Sequence, residues 1–432
     1  MQQQSKTEHS AQYKKTELGL LPESWEVVRF EDIGKFQYGY TETSSTKKIG
    51  PKFLRITDID LNSSRIFWET VPYCKIIKEE FPKYALGNGD ILIARIGATT
   101  GKTCIIRDAP ESVFASYLIR FSCNKQKVDP EYCYLFTISG SYWEQVNANK
   151  EGKLKKGVSS SQLKNFKISL PPLPEQQKIA HVLSTIQTAK EKIETVITAL
   201  KEMKQSIMKH LFTYGPVNSK DAKYVKLKDA EIGQIPEEWN ISELVKVAHL
   251  TMGQSPPGNT YNEENKGMPF LQGKAEFGQI HPTHIKYTSK PLKIAKRDSV
   301  LLSVRAPVGD VNIADIDYCI GRGLASISSI NGSNRFLFYL LVYSKPNIEK
   351  EGTGSTFKAI NKNKLQNLML PNPPLEIQEK IASMLSAIDD KIETEKTKKN
   401  SLDNLFKSIL HNLMTAKIRV NELVMPNEEK RN

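Results

Sequence analysis

The feature that most constrains this fold is an internal duplication that covers nearly the whole chain of 432 residues. The segment Glu17-Leu-Gly-Leu-Leu-Pro-Glu-Ser-Trp25 returns 214 residues later as Glu231-Ile-Gly-Gln-Ile-Pro-Glu-Glu-Trp239. From Leu163 onward the matching residues are separated by a constant 202, and the matches continue to Thr213 and Thr415. A solenoid needs many short repeats, so this chain is two copies of one large unit.

Each copy begins with a mixed part, in which short apolar runs alternate with glycine and proline, and ends with a long helix. The runs Gly89-Asp-Ile-Leu-Ile-Ala94 and Asp298-Ser-Val-Leu-Leu-Ser303 are typical of buried strands. Prolines cluster at both helix starts, where their fixed φ is tolerated, and neither proline nor glycine follows until Gly215 or Pro426. The predicted organisation is an N-terminal segment (1–23) packing near the C-terminal tail, a first mixed domain (24–170), a first spacer helix (171–214), a linker (215–237), a second mixed domain (238–370), a second spacer helix (371–416) and the tail (417–432).

Heptad spacing in both long helices predicts a coiled-coil seam. In the first helix the seam residues are Ile179, Leu183, Ile186, Ile193, Ile197, Leu200, Ile207 and Leu211. In the second helix they are Ile381, Leu385, Ile388, Ile392, Leu402, Phe406, Ile409 and Leu413. Lys190, Lys204 and Glu395 interrupt the seam. The alternative interpretation is that each helix is amphipathic and packs on a globular body.

Connectivity gives the predicted fold class. If the helices pair, the return path between them makes them antiparallel, and forty helical residues span about 60 Å. The predicted class is mixed α/β, with two globular domains related by a pseudo-two-fold axis and separated by two long antiparallel coiled-coil helices.

The positive charge lies in the mixed domains and not on the helices. The chain has a net charge of +13, of which 24–170 carries +6 and 238–370 carries +5, whereas helix 174–213 carries +2 and helix 375–415 carries −1. Two similar basic domains indicate a polyanionic partner. A helix of about 60 Å compares with about 34 Å for one turn of DNA, so both domains could contact one duplex.

Motifs suggestive of catalysis lack essential parts. Gly97-Ala-Thr-Thr-Gly101-Lys102 has three residues between its glycines, one fewer than a phosphate-binding loop requires. Asn372-Pro-Pro-Leu375 has leucine where amino methyltransferases place an aromatic ring against a flipped base. His281 and His284 lack a third ligand, and no nucleophile–base arrangement stands out. The sequence therefore predicts neither a catalytic residue nor a metal site.

Composition further narrows the class of protein and its cellular setting. The five cysteines (Cys74, Cys104, Cys123, Cys133 and Cys319) form no CxxC motif, which favours a reducing, cytoplasmic setting. The first fifteen residues are polar and unlike a signal peptide. No apolar run approaches the roughly 20 residues that span a bilayer.

Taken in order and in duplicate, these motifs resemble the specificity subunit of Type I restriction–modification systems over nearly the whole chain. The resemblance rests on the openings at 18–25 and 232–239, the Gly-Asp-Ile-Leu strand at 89–92, Gly354-Ser-Thr-Phe-Lys-Ala-Ile360, the Pro-Pro-Leu-x-x-Gln helix starts at 171–176 and 373–378, and Leu413-Met-Thr-Ala-Lys-Ile-Arg-Val420. The first copy departs from the pattern at Lys155-Lys-Gly-Val158, where the second has Phe357-Lys-Ala-Ile360.

The resemblance implies two target-recognition domains that each read half of a split, asymmetric DNA site, with the helices setting the spacing. It also implies two methyltransferase subunits and two restriction/translocase subunits as partners. S-adenosylmethionine, ATP and Mg²⁺ would be bound only by those partners, so this chain would need no cofactor.

Candidate DNA contacts are basic, amide and aromatic residues in loops of the mixed domains, since such groups bind phosphates and base edges. In the first domain they are Tyr38, Tyr40, Lys47, Lys48, Arg55, Arg95, Lys102, Lys155 and Lys156. In the second they are Gln254, Asn259, Tyr261, Gln272, Lys274, Arg305, Arg322 and Lys358. Two other functions stay open: a coiled-coil protein-interaction scaffold without sequence-specific DNA readout, and a single-chain restriction enzyme.

Overall fold

The computed structural model describes residues 12–60, 65–149, 157–352 and 359–420. The chain divides into two compact units, of which the first is 1–192 with 399–432 and the second is 193–398. Each unit therefore contains one mixed domain, the first half of one long helix and the second half of the other.

Unit 1 contains ten strands and five short helices among the described residues. The strands are β1 (Tyr13–Thr16), β2 (Gly19–Pro22), β3 (Glu26–Arg29), β4 (Gly34–Tyr38), β5 (Lys52–Leu54), β6 (Ile91–Ala94), β7 (Thr103–Ile105), β8 (Ser112–Phe114), β9 (Leu118–Cys123) and β10 (Lys167–Leu170). The helices are α1 (Phe30–Ile33), α2 (Phe81–Tyr84), α3 (Pro130–Thr137), α4 (Gly140–Ala148) and α5 (Ser160–Lys164).

Unit 2 repeats this plan with additional strands. Its strands are β11 (Leu227–Ala230), β12 (Gly233–Pro236), β13 (Asn240–Glu243), β14 (Ala248–Met252), β15 (Tyr261–Asn262), β16 (Met268–Leu271), β17 (Lys286–Thr288), β18 (Ile294–Ala295), β19 (Val300–Ser303), β20 (Val311–Ile313), β21 (Tyr318–Ile320), β22 (Leu324–Ser329) and β23 (Met369–Asn372). The short helices are α7 (Leu244–Val247), α8 (Asn334–Tyr343), α9 (Lys345–Glu351) and α10 (Lys362–Gln366). The long helices are α6 (Leu173–Tyr214) and α11 (Leu375–Met414).

The central sheet has the same topology in both units. Its strand order is β4-β9-β6-β7 in unit 1 and β14-β22-β19-β20 in unit 2, with all neighbours antiparallel. The two predicted buried strands are confirmed as β6 and β19, and every residue in each is buried. A second sheet differs, since it has two strands in unit 1 and five in unit 2. The duplication therefore conserves the architecture, while the added strands change what surrounds it.

The Pro-Pro-Leu-x-x-Gln motifs attach each mixed domain to a helix start. In unit 1 the buried Gln176 side chain accepts from the Asp129 amide at 2.8 Å and donates to the Pro171 carbonyl at 2.8 Å. In unit 2 Gln378 accepts from the Ser333 amide at 3.1 Å and donates to the Pro373 carbonyl at 2.9 Å. Asp129 and Ser333 are the N-caps of α3 and α8. One glutamine thus satisfies backbone groups on both sides of each junction.

The long helices pair antiparallel within each unit. In unit 1, Ile179 and Leu183 near the start of α6 share a core with Leu413 near the end of α11. In unit 2, Leu211 near the end of α6 shares a core with Ile381 and Leu385 near the start of α11. These cores also include the mixed domains, so both interpretations of the heptads apply: the helices pair and also pack on globular bodies. Half-buried residues of the seam are Ile186, Ile193, Leu200, Ile207, Leu402, Phe406 and Ile409, whereas Ile197, Ile388 and Ile392 are buried.

The seam lysines form ion pairs with the other helix. Lys190 lies 2.5 Å from Asp403 in unit 1, and Lys204 lies 2.6 Å from Asp389 in unit 2. The Asp389 side chain is only 2% exposed and also accepts from the Tyr339 hydroxyl at 2.7 Å. Because both lysines belong to α6 and both aspartates to α11, these pairs favour contact between unlike helices.

The described ends of the chain meet in unit 1. The Tyr13 hydroxyl donates to the Ala416 carbonyl at 3.1 Å. Arg419 makes two hydrogen bonds to the Glu175 carboxylate, at 2.8 and 2.9 Å, and the Trp25 indole donates to the same carboxylate at 3.1 Å. Among the residues described, no helix has the length and apolar character needed to cross a membrane.

Candidate nucleic-acid interface

Several candidate residues of unit 1 lie at one end of the central sheet. The antiparallel register brings the carboxyl ends of β4 and β6 to the same end as the amino ends of β7 and β9. We call this surface, formed by residues 38–40, 95–102 and 115–117, the first loop end. The first loop end carries Tyr38, Arg95 and Lys102. The sequence alone does not show that these residues lie at the same end of the sheet, because that depends on the strand order.

Arg95 is held in a fixed position at the first loop end. Its guanidinium lies 4.9 Å from the centre of the Tyr38 ring and donates to the Ser116 carbonyl at 3.3 Å. The Tyr38 hydroxyl in turn accepts from the Ser160 amide at 3.0 Å. A cation–π contact of this kind contributes about 0.5–1 kcal/mol at an exposed site. It orients the arginine before any ligand arrives.

The remaining candidates of unit 1 differ in availability. Arg55 makes two hydrogen bonds to Asp58, at 3.0 and 2.7 Å, and those bonds raise the pKa of its guanidinium. Burial raises the pKa of Tyr40, whose ring packs 5.1 Å from that of Tyr84. Lys47 and Lys48 are exposed. Of these residues, Arg55 already has an anionic partner in Asp58. Lys155 and Lys156 lie outside the described residues.

Unit 2 has the corresponding surface, which we call the second loop end and define by residues 252–255, 304–310 and 321–323. Gln254, Arg305 and Arg322 are exposed on it. The Gln272 amide donates to the Ser255 hydroxyl at 3.1 Å, and that hydroxyl accepts from the Arg322 backbone amide at 3.3 Å. These bonds fix the Gln272 amide beside the loop that carries Arg322.

Other candidates of unit 2 have structural partners. Lys274 lies 2.5 Å from Asp310, and Lys345 lies 2.7 Å from the same carboxylate. Burial raises the pKa of Asp310, but hydrogen bonds from the two lysines outweigh burial and lower it overall. The Tyr261 ring stacks 4.8 Å from Phe270, and its hydroxyl donates to the Pro256 carbonyl at 2.8 Å. Asn259 is exposed, and Lys358 lies outside the described residues.

Backbone hydrogen bonds establish which loop residues correspond between the units. In unit 1 the Val158 amide donates to the Arg95 carbonyl, and in unit 2 the Ile360 amide donates to the Val304 carbonyl. The residue after Arg95, Ile96, forms a bridge with Gly157. The residue after Val304, Arg305, forms the equivalent bridge with Ala359. The position of Arg305 therefore corresponds to Ile96 and not to Arg95.

The third loop gives a second correspondence. The Arg95 amide donates to the Tyr117 carbonyl, and the Val304 amide donates to the Gly323 carbonyl. Tyr117 thus corresponds to Gly323, and the preceding Ser116 corresponds to Arg322. Sequence analysis missed Tyr117, whose side chain is 56% exposed at the first loop end. No local pattern identifies it, because its exposure depends on where the three loops meet.

The motifs suggestive of catalysis have structural explanations. In the 97–102 turn the amides of Thr100, Gly101 and Lys102 bond to carbonyls of the same turn and of β6, so they do not point at a phosphate. His281 bonds to the Ile313 carbonyl at 2.9 Å, and His284 contacts the Tyr318 hydroxyl at 3.3 Å. Within the described ranges, no group of three or more His, Cys, Asp or Glu residues could hold a metal ion.

Comparisons with known proteins find relatives over nearly the whole chain. The family model described as "Type I restriction modification DNA specificity domain" matches twice, at residues 22–202 and 236–404. The putative type I restriction enzyme MjaX specificity subunit of Methanocaldococcus jannaschii is 42% identical over 422 residues, covering 94% of this chain and 97% of that protein. The type I restriction enzyme EcoBI specificity subunit of Escherichia coli is 23% identical, covering 91% of this chain and 86% of that protein.

A solved structure is also similar along its length. It is a chain from work titled as the structural basis of complex assembly and conformational transition of the type I R-M system. That chain is 26% identical with a TM-score of 0.58, and the match covers 92% of this chain and 99% of that one.

Proposed function

Since this chain belongs to the family of Type I restriction–modification DNA specificity subunits, we propose that its first and second loop ends are the surfaces that contact DNA. Each loop end would read one half of a bipartite target. The observation that carries this proposal is that both units place arginine side chains at the same end of the same sheet. The side chains themselves differ between the units, as an asymmetric target requires.

The DNA contacts of the two units, at the loop ends and beside them, would divide into two kinds. Exposed lysines such as Lys47 and Lys48 would neutralise phosphates, which positions the protein without reading sequence. Oriented groups such as Arg95 and Gln272 suit base edges in the major groove, where arginine pairs with guanine and glutamine with adenine. Arg55 and Lys274 would play a smaller part because each already pairs with an aspartate.

The long helices would set the spacing between the half-sites. The Lys190–Asp403 and Lys204–Asp389 pairs each join a residue of α6 to a residue of α11. In both pairs the two residue numbers add up to the same value, so both satisfy one antiparallel register. A fixed register would give the complex one spacer length.

Partner subunits would carry the chemistry. We assign adenine methylation with S-adenosylmethionine to two methyltransferase subunits, and ATP- and Mg²⁺-dependent restriction to two restriction/translocase subunits. The complex would act on DNA in the cytoplasm. Incubating the isolated chain with DNA, Mg²⁺, ATP and S-adenosylmethionine should give neither methylated nor cleaved product. The mass of the reconstituted complex gives its stoichiometry, and product formation by the chain alone would refute the assignment.

A binding experiment separates sequence readout from the scaffold alternative. Fluorescence anisotropy of the complex with its methyltransferase subunits would compare an intact target with duplexes that have one half-site scrambled or one base pair added between the half-sites. We expect each change to weaken binding, and binding to random duplex to fall steeply with salt. Equal affinity for all duplexes, together with a flat salt response, would favour a scaffold without readout.

A further inference from the structure

We propose that Arg305 and Arg322 read guanine bases. The half-site recognised by unit 2 then requires a G·C pair at each of the two positions that these arginines contact. This inference rests on the proposed function, because it assumes that the second loop end faces DNA. It goes further in assigning a base to a unit.

The two arginines are positioned at the sheet end by backbone contacts. Arg305 follows β19 and forms an isolated bridge with Ala359. The Arg322 amide is held by the Ser255 hydroxyl at 3.3 Å. Both residues are exposed. Their main chains are therefore anchored while their side chains extend from the loops.

The chemistry of the two guanidinium groups fits a base edge. In the part of the chain that the structure describes, no carboxylate pairs with either side chain, in contrast to Arg55 with Asp58. The one carboxylate at this loop end, Asp310, is already neutralised by two lysines. Arginine donates two parallel hydrogen bonds to O6 and N7 of guanine, and this is the commonest base-specific contact.

The first loop end has different groups at the same positions. Ile96 replaces Arg305 and Ser116 replaces Arg322, as the backbone correspondence shows. Its own arginine, Arg95, stands where unit 2 has the buried Val304. The two half-sites are therefore read by different arrangements, and only unit 2 presents this pair of arginines.

The test uses the residues of unit 1 as substitutions. Arg305→Ile and Arg322→Ser would be compared with the full-length chain and with Arg297→Ser, a control at the opposite end of β19 whose side chain is 73% exposed. Each version is expressed with its methyltransferase subunits, and the methylated sites are mapped across host DNA. Thermal unfolding of each purified chain checks that the folds are equal.

The expected result is a bipartite motif in which one half-site has a guanine for each of the two arginines. Each of the two variants should reduce the discrimination for guanine at one position of that half-site by about tenfold or more, and should leave the other half-site unchanged. The control Arg297→Ser should leave the whole motif unchanged. An unchanged guanine requirement, or an equal loss at all sequences, would overturn the proposal, since the latter indicates phosphate contact. If the unaltered chain gives no bipartite motif, the proposed function fails as well.

Discussion

Replacing Arg419 by alanine should destabilise unit 1 by removing the cation from a buried carboxylate. Arg419 binds Glu175 through two hydrogen bonds of 2.8 and 2.9 Å, and the side chains are 18% and 9% exposed. Trp25, which is itself buried, donates a third bond to the same carboxylate. This contact joins the turn between β2 and β3, the start of α6 and the C-terminal tail.

The magnitude follows from the burial of the pair. Removing one partner of a fully buried ion pair costs about 3–5 kcal/mol. Because Arg419 is partly exposed and Trp25 still donates to Glu175, we expect about 2–3 kcal/mol for Arg419→Ala. For a folding unit of this size, each kcal/mol lowers Tm by about 2–4 °C. The transition of unit 1 should therefore fall by roughly 5–10 °C.

A double variant isolates the buried charge. Glu175→Gln removes the charge but keeps an oxygen for the Trp25 indole, and unit 2 has the uncharged Ile377 at the corresponding position. We expect Glu175→Gln with Arg419→Ala to cost about 1 kcal/mol, less than Arg419→Ala alone. Calorimetry of the full-length chains measures both. The reasoning is refuted if Arg419→Ala leaves Tm unchanged, or if the double variant is as unstable as the single one.

Three further predictions concern the described interior. Lys204→Met should lower the free energy of unfolding in urea by about 3 kcal/mol because it leaves Asp389 buried without its cation, whereas Lys204→Arg should cost much less; equal losses would contradict this. Burial raises the pKa of Asp310, but two lysines lower it overall. The stabilisation of the folded state by Asp310 is therefore present above the unfolded pKa of about 4. It is lost as pH falls through the lower pKa of the folded state. Asp310→Asn should therefore weaken this acid dependence in urea unfolding, and an unchanged pH profile would argue against the pairing. Burial raises the pKa of Cys104 to about 12, so a thiol reagent at neutral pH should label it only after unfolding; rapid labelling of the native chain would show that it is accessible.

Much of the fold could be predicted from the sequence because its signals are local and occur twice. Glycine- and proline-free heptads predicted the two long helices, and structure gives Leu173–Tyr214 and Leu375–Met414. The continuous apolar runs predicted buried strands, which are β6 and β19. The antiparallel pairing followed from connectivity, and the cores of both units confirm it.

Features that depend on contacts between distant residues could not be predicted. The partner of Lys204 is Asp389, which is 185 residues away along the chain. Heptad spacing alone shows only that this lysine interrupts the apolar seam. Arg95 and Arg305 look equivalent in sequence because each comes shortly after its apolar strand. Backbone bonds place them at successive positions instead, because Arg95 directly follows β6 whereas one residue separates Arg305 from β19. Tyr117 was missed because its exposure depends on where three loops meet, which no local pattern shows.

The central claim is that two similar units each read one half of a single DNA target on behalf of partner subunits. Methylation mapping of host DNA with and without this chain, in the presence of its methyltransferase subunits, tests it most directly. We predict one asymmetric motif of two half-sites with a constant gap, methylated only when the chain is present. Methylation that does not depend on the chain, or one continuous motif without a gap, would contradict the account.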